Sequence, residues 1–144
     1  MDEKYYEFVE VKRMLWGFSG DKGFLYRKMI NLAESILPLE KFKYIYSKNL
    51  VNYDDNIFAE LYFFTDDKVY ILKEENKDIN LLILNIKDVK NIDFTISDQD
   101  SDVVKLNIEF DKGVIIKFDS LADSNSEWSR EYKKIIMLIL GEFI

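Results

Sequence analysis

Between residues 58 and 144, six short segments alternate apolar and polar residues, and one helical segment follows the last of them. A seventh alternating segment begins at Phe42 and ends at Tyr46. Alternation with a period of two places the apolar side chains of a strand on one face of a sheet. The sequence therefore predicts an α+β fold, with a bent seven-stranded antiparallel sheet or barrel within residues 42–119 and a C-terminal helix that caps it.

Two turn signals set the expected strand pairing. Asp66-Asp67 lies between two alternating segments and predicts a tight hairpin, and Asp111-Lys112-Gly113 predicts another with Gly113 at positive φ. We expect the apolar residues of the last two strands to face inward. These residues are Val104, Leu106, Ile108, Val114, Ile116 and Phe118.

The last segment has the pattern of an amphipathic helix. Ser124 and Glu127 have the spacing of a capping box, which predicts a helix start near Asn125. Trp128, Ile135 and Ile139 follow at helical spacing on one broad apolar face. A helix with such a face must bury it, so we expect Trp128 to fill the open end of the sheet.

Two more helices are predicted ahead of the sheet, at residues 3–16 and 24–37. The glycine-rich segment GFSGDKG separates them, and the only proline, Pro38, ends the second. At 144 residues the chain has the usual size of one domain. We predict a single domain, 1–144, in which a helical pair (1–38) precedes a barrel with its C-terminal helix (42–144).

Composition excludes several kinds of site. The chain contains no cysteine and no histidine, so it has no disulfides, no zinc site built on those residues and no Ser-His-Asp triad. The net charge of −7 disfavours nucleic acid and anionic lipid as partners. The acidic start has no signal-peptide pattern, and the longest apolar run is only residues 135–140, so we expect a cytoplasmic protein.

Three segments resemble the pleckstrin-homology superfold, in particular its bacterial PH-like and GRAM-type members. They are LYFFTDDKVYIL (61–72), ILNIKDVKNIDF (83–94) and DKGVIIKF (111–118). The resemblance implies seven antiparallel strands closed by a C-terminal helix, and a domain that binds other molecules without catalysis. Its lipid-binding members use a basic loop after the first strand. Here the corresponding loop, residues 47–56, has one lysine and two aspartates, and the N-terminal helical pair lies outside the family pattern.

Other candidate sites have simpler explanations. Asp98, Asp100 and Asp102 have the spacing of calcium ligands, but Val103 replaces the glycine that such a loop needs, which favours a solvated turn. GFSGDKG lacks the strand and the GK[ST] ending of a phosphate loop. The adjacent aspartates 54/55 and 66/67 are typical turn residues rather than an acid–base pair. We therefore expect no enzyme activity, no cofactor and no metal.

The N-terminal aromatic residues form the predicted interaction surface. They are Tyr5, Tyr6, Phe8, Trp16 and Phe18. A small barrel already capped by one helix does not need them all for its core, so we expect a protein partner or a second copy of the chain to bind there. One alternative is a membrane-surface adaptor using Lys41, Lys43 and Lys48. Another is a small-ligand binder or enzyme that uses the barrel mouth.

Overall fold

The structure is a computed structural model that describes residues 3–50 and 52–144, with side chains described from residue 7 onward. The described chain divides into two compact units, the first ending at Ile83 and the second beginning at Leu84. Three α-helices and seven strands lie within these residues. In chain order they are α1 (Glu3–Trp16), α2 (Gly20–Ile36), β1 (Tyr44–Lys48), β2 (Glu60–Phe64), β3 (Lys68–Glu75), β4 (Asp78–Asn85), β5 (Val89–Ile96), β6 (Val104–Phe110), β7 (Ile115–Asp119) and α3 (Ser129–Gly141).

The strands form two antiparallel sheets instead of one. The first has the order β1-β2-β3-β4 and the second the order β5-β6-β7. The predicted single seven-stranded sheet or barrel is therefore wrong in this respect, and neither sheet is closed. Period-two alternation reports which side chains share a face of a strand, but it does not report which strands are neighbours. A 3₁₀ turn, Ile86–Asp88, separates β4 from β5.

Short turns connect β2 to β3 and β3 to β4 in the first sheet. The Asp66-Asp67 hairpin is confirmed, since the Thr65 N–H donates to the Lys68 carbonyl at 2.9 Å. β3 and β4 are joined through Asn76 and Lys77, both with positive φ, the backbone that a two-residue hairpin requires. The residues of this turn are polar, so apolar alternation in the sequence does not locate it.

Helices α1 and α2 bury one face each in the core of the first unit. On α1 the buried residues are Phe8, Val11 and Leu15, at helical spacing. The Phe8 ring lies 6.1 Å from that of Phe63 on β2, and the Phe42 ring lies 4.7 Å from the same ring. The α2 residues in this cluster are Tyr26, Met29, Ile30 and Ala33. The N-terminal helices are therefore part of a core.

The second unit places α3 against β6. Val104, Leu106 and Ile108 are buried as predicted, as are Ile116 and Phe118 on β7, whereas Val114 is only half-buried. The predicted turn is confirmed, with Gly113 at φ +77°. The buried apolar residues of α3 are Ile136 and Ile139.

The start of α3 differs from the prediction. Asn125 Oδ1 accepts the N–H groups of Glu127 and Trp128, at 2.9 and 3.0 Å, and the helix begins only at Ser129. Ser124 donates to the Ser120 carbonyl instead of capping the helix. Trp128 therefore lies before the first turn, where its side chain is 54% exposed. The prediction that it fills the end of the sheet is wrong.

This difference predicts unequal costs for two aromatic substitutions in the second unit. Phe118→Ala removes a fully buried ring and should lower the free energy of unfolding by about 3–5 kcal/mol. Trp128→Ala should cost less than about 1 kcal/mol, because that ring is mostly in water already. Urea denaturation of both variants measures the difference. An equal loss in the two variants would contradict the exposed position of Trp128.

Candidate functional site

The structure separates the predicted interaction residues into different environments. Phe8 is 3% exposed and packs in the core, so it does not belong to an open surface. Trp16, at the end of α1, is 42% exposed. Phe18 is half-buried against Tyr26. The side chains of Tyr5 and Tyr6 lie outside the described residues. Among the predicted interaction residues whose side chains are described, Trp16 therefore offers the most accessible apolar surface.

Trp16 lies at an open groove along α1, which we call the α1 groove. It has a volume of about 750 Å³. Val9 and Trp16 contribute partly exposed apolar surface, while the Phe8 side chain closes the groove on the core side. The remaining lining residues are Lys12, Arg13, Gly17, Glu34 and Leu39. An apolar floor with charged residues around it is the usual composition of a protein-binding groove.

The charged residues of the α1 groove contact neighbouring side chains. Lys12 Nζ bonds both carboxylate oxygens of Glu34 on α2 at 3.1 Å, and it lies 5.4 Å from the centre of the Trp16 ring. Arg13 bonds Glu10 at 2.6 Å, and this contact raises the pKa of the exposed Arg13 side chain. Lys12 thus contacts both Glu34 on α2 and the Trp16 ring.

A second cluster surrounds a buried lysine, and sequence reasoning missed it. Lys22, on the first turn of α2, is only 7% exposed. Its Nζ donates to the backbone carbonyls of Asn52 and Asp54, at 2.6 and 2.9 Å. The rings of Phe18, Tyr26 and Phe58 surround the ammonium, with centres 5.1, 5.9 and 5.8 Å away. We call this arrangement the Lys22 latch.

The Lys22 latch ties the β1–β2 loop to α2. Burial lowers the pKa of Lys22, while the carboxylates of Asp55 and Asp54 act in the opposite direction. Aromatic faces and carbonyl oxygens are what a poorly hydrated ammonium requires in place of water. Both hydrogen bonds end on backbone oxygens, so the lysine orders the loop.

Tyr26 forms a hydrogen bond at the end of the β1–β2 loop. Its hydroxyl oxygen accepts the Ala59 N–H at 2.7 Å, immediately before β2. Burial raises the pKa of Tyr26, against the lowering effect of that N–H donor. The Tyr26 ring also meets Phe18 and Phe58 edge-on, with ring centres 5.2 and 6.5 Å away. One side chain of α2 therefore sets both the start of β2 and part of the lysine cage.

The GFSGDKG segment contains Phe18 and Lys22, two residues of the Lys22 latch. Its first three residues form the connection between helices, as predicted, but α2 begins at Gly20, earlier than the expected residue 24. A Cβ added to Gly23 would lie 2.2 Å from the Phe18 carbonyl oxygen. A side chain at position 23 would push the Phe18 backbone away from α2. Glycine is therefore needed there for a close approach of the chain.

The other sequence candidates do not assemble into a site. The Asp98–Asp102 segment is a turn in which Asp100 accepts the Asp102 N–H at 2.9 Å. Among the described side chains, residues 7–50 and 52–144, no three carboxylates lie close enough together to hold a metal ion. Of the predicted basic cluster, Lys43 pairs with Asp66 at 2.9 Å and Lys48 lies over the Tyr62 ring. No described helix is long and apolar enough to cross a membrane.

Residues 20–134 match the family described as protein of unknown function (DUF3908). The chain belongs to the DUF3908 family. The matched part of this DUF3908 protein includes Lys22, Tyr26 and Phe58 of the latch and both sheets, and it begins after Trp16 and Phe18. No curated protein matches the chain.

Among solved structures, the DUF3908 chain is similar to a chain of the crystal structure of the complex of PDZ-RhoGEF DH/PH domains with GTP-γ-S activated RhoA. The TM-score is 0.42 and the sequence identity is 8%. The match covers 97% of this chain and 40% of that chain. A likeness of this size establishes neither the fold nor the function of the DUF3908 chain.

The latch predicts that two lysines of the same helix differ in their effect on stability. Lys22→Met keeps the apolar stem but leaves two loop carbonyls without their donor, so it should lower the free energy of unfolding by about 1–3 kcal/mol. Lys28→Met removes an exposed lysine of α2 and should change it by less than about 0.5 kcal/mol. Denaturant unfolding compares the two, and an equally small effect for Lys22→Met would contradict the latch.

Proposed function

We propose that this DUF3908 protein is a non-enzymatic interaction module that binds a protein partner through the α1 groove. The observation that carries the proposal is the 42% exposure of Trp16 beside an apolar groove with charged residues around it. Tryptophan is the residue most enriched among those that dominate binding energy at protein interfaces. A partner would place an apolar side chain or the apolar face of a helix in the groove.

The position of the groove supports this proposal. It lies on α1, whose opposite face is fixed in the core through Val11 and Leu15. A rigid helix presents its exposed side chains in a defined geometry, so less conformational entropy is lost on binding. The Lys12–Glu34 ion pair joins the rim to α2. The groove is thus a pre-formed surface with an accessible aromatic residue.

We also propose a PH-like fold for the DUF3908 chain. The support is the number and order of its elements, seven antiparallel strands followed by one C-terminal helix, which is what the sequence resemblance implies. The N-terminal helices are an addition to that pattern. A cytoplasmic location and the absence of catalysis remain predictions of the sequence.

The membrane-surface alternative has less support in the structure. Lys43 already pairs with Asp66, and Lys41 lines a groove together with Asp66 and Asp67. Neighbouring carboxylates reduce the positive potential that an anionic membrane would require. The negative net charge of the chain acts in the same direction.

Quantitative affinity capture from an extract of the native host tests the proposal with a matched pair of tryptophans. Trp16→Ser should abolish retention of at least one protein that the unaltered chain retains, because loss of a central interface tryptophan costs about 2 kcal/mol or more, roughly thirtyfold in affinity. Trp128→Ser changes the other exposed tryptophan and should leave that protein bound.

Thermal unfolding of both variants shows whether the chain is still folded, and both should melt cooperatively since each ring is exposed. If the Trp16→Ser variant is folded and retains the same proteins as the unaltered chain, the α1 groove is not the binding site. Loss of the same protein in both variants would also contradict the assignment.

A further inference from the structure

The second unit carries an exposed face that its own fold does not use. α3 buries Ile136 and Ile139, but Met137 and Leu138 on its outer side are 42% and 53% exposed. Together with Arg130, Lys133, Lys134 and Asp102 they line a groove of about 560 Å³, which we call the α3 groove. Positions 130, 134, 137 and 138 share one side of an α-helix. This side of α3 therefore carries basic residues in the first turns of the helix and apolar residues in its last turns.

The charge of the α3 groove is opposite to that of the whole chain. Its lining has three cations and one carboxylate, whereas the chain has a net charge of −7. Lys134 lies 3.4 Å from Glu131, but both side chains are largely exposed, and such a pair adds little free energy. The groove thus keeps a local positive potential that complements a carboxylate ligand.

We propose that the α3 groove binds an acidic, apolar segment of a protein. This proposal concerns a surface separate from the α1 groove and does not depend on it. From Arg130 to Leu138 the helix rises about 12 Å, the length of about four extended residues or two helical turns. A fitting segment has carboxylates at one end and one or two large apolar side chains at the other. The carboxylates meet Arg130 and Lys134, and the apolar side chains cover Met137 and Leu138.

The shape of the face favours a protein segment over a lipid surface. A helix that lies on a bilayer buries a large apolar face in the interface. Here the exposed apolar residues at the groove are only Met137 and Leu138, enough to receive one or two side chains of a partner segment. The net charge of −7 also repels an anionic bilayer as a whole, whereas a short acidic segment meets only the local potential.

Selection of phage-displayed random twelve-residue peptides on the full chain tests this inference. The selected peptides should be enriched in Asp or Glu together with Leu, Ile or Phe, relative to the starting library. Arg130→Glu/Lys134→Glu should recover at least tenfold fewer phage of that pool. Lys87→Glu/Lys90→Glu makes the same change of net charge at exposed positions outside the groove, and its recovery should match the unaltered chain.

A second variant separates the apolar part of the groove from its charges. Leu138→Asn keeps the net charge and should also lower recovery at least tenfold, and unfolding curves confirm that each variant remains folded. A selected pool without acidic enrichment would overturn the proposal. So would equal recovery on the Arg130→Glu/Lys134→Glu variant.

Two further measurements test whether the α3 groove binds a lipid surface or a second copy of the chain instead. Vesicles containing phosphatidylserine should not sediment the protein, and sedimentation that disappears in the Arg130→Glu/Lys134→Glu variant would assign the face to a lipid surface and overturn the peptide proposal. Analytical ultracentrifugation should show the same association state for the unaltered chain and this variant. Self-association that the charge reversal removes would show that the occupant is a second copy.

Discussion

The first unit depends on the burial of two helix faces beside a small sheet. The ring of Phe63 on β2 is fully buried, with the rings of Phe8 and Phe42 close to it, and α2 contributes Met29 and Ile30 to the same cluster. An apolar face of an antiparallel sheet is stable only when another element covers it. α1 and α2 cover the face that carries Leu61, Phe63 and Leu72. The outer face of α1 is left available for binding because its inner face is fixed.

The Lys22 latch shows how a charged residue can contribute inside such a unit. Burial of an ammonium is costly unless its hydrogen bonds are satisfied. Two loop carbonyls and three aromatic rings replace water around Lys22, and the hydroxyl of Tyr26 accepts the Ala59 N–H at the end of the loop. Two α2 side chains thereby set the path of the chain between β1 and β2. A lysine of α2 therefore holds this loop through its backbone carbonyls.

Local sequence signals predicted most of the elements, because period-two alternation and turn residues act over a few residues. The hairpins at Asp66-Asp67 and Gly113 follow from such signals. The pairing of strands into two sheets and the exposure of Trp128 depend on distant contacts, which alternation does not contain. Phe8 was predicted for a surface because the sequence did not show that α1 covers the first sheet. The latch joins Lys22 to residues about thirty positions away, and its only local signal is the spacing of four between Phe18, Lys22 and Tyr26.

α1 belongs to the core of the first unit, while its outer face stays open. Native-state amide hydrogen exchange measures this most directly. We expect the amides of Val11 and Leu15 to exchange about as slowly as those of Leu61 and Phe63 on β2, because α1 opens only when the unit unfolds. The indole N–H of Trp16 exchanges rapidly in the same sample. Exchange of the α1 amides at the rate of an unfolded peptide, with β2 still protected, would contradict the claim.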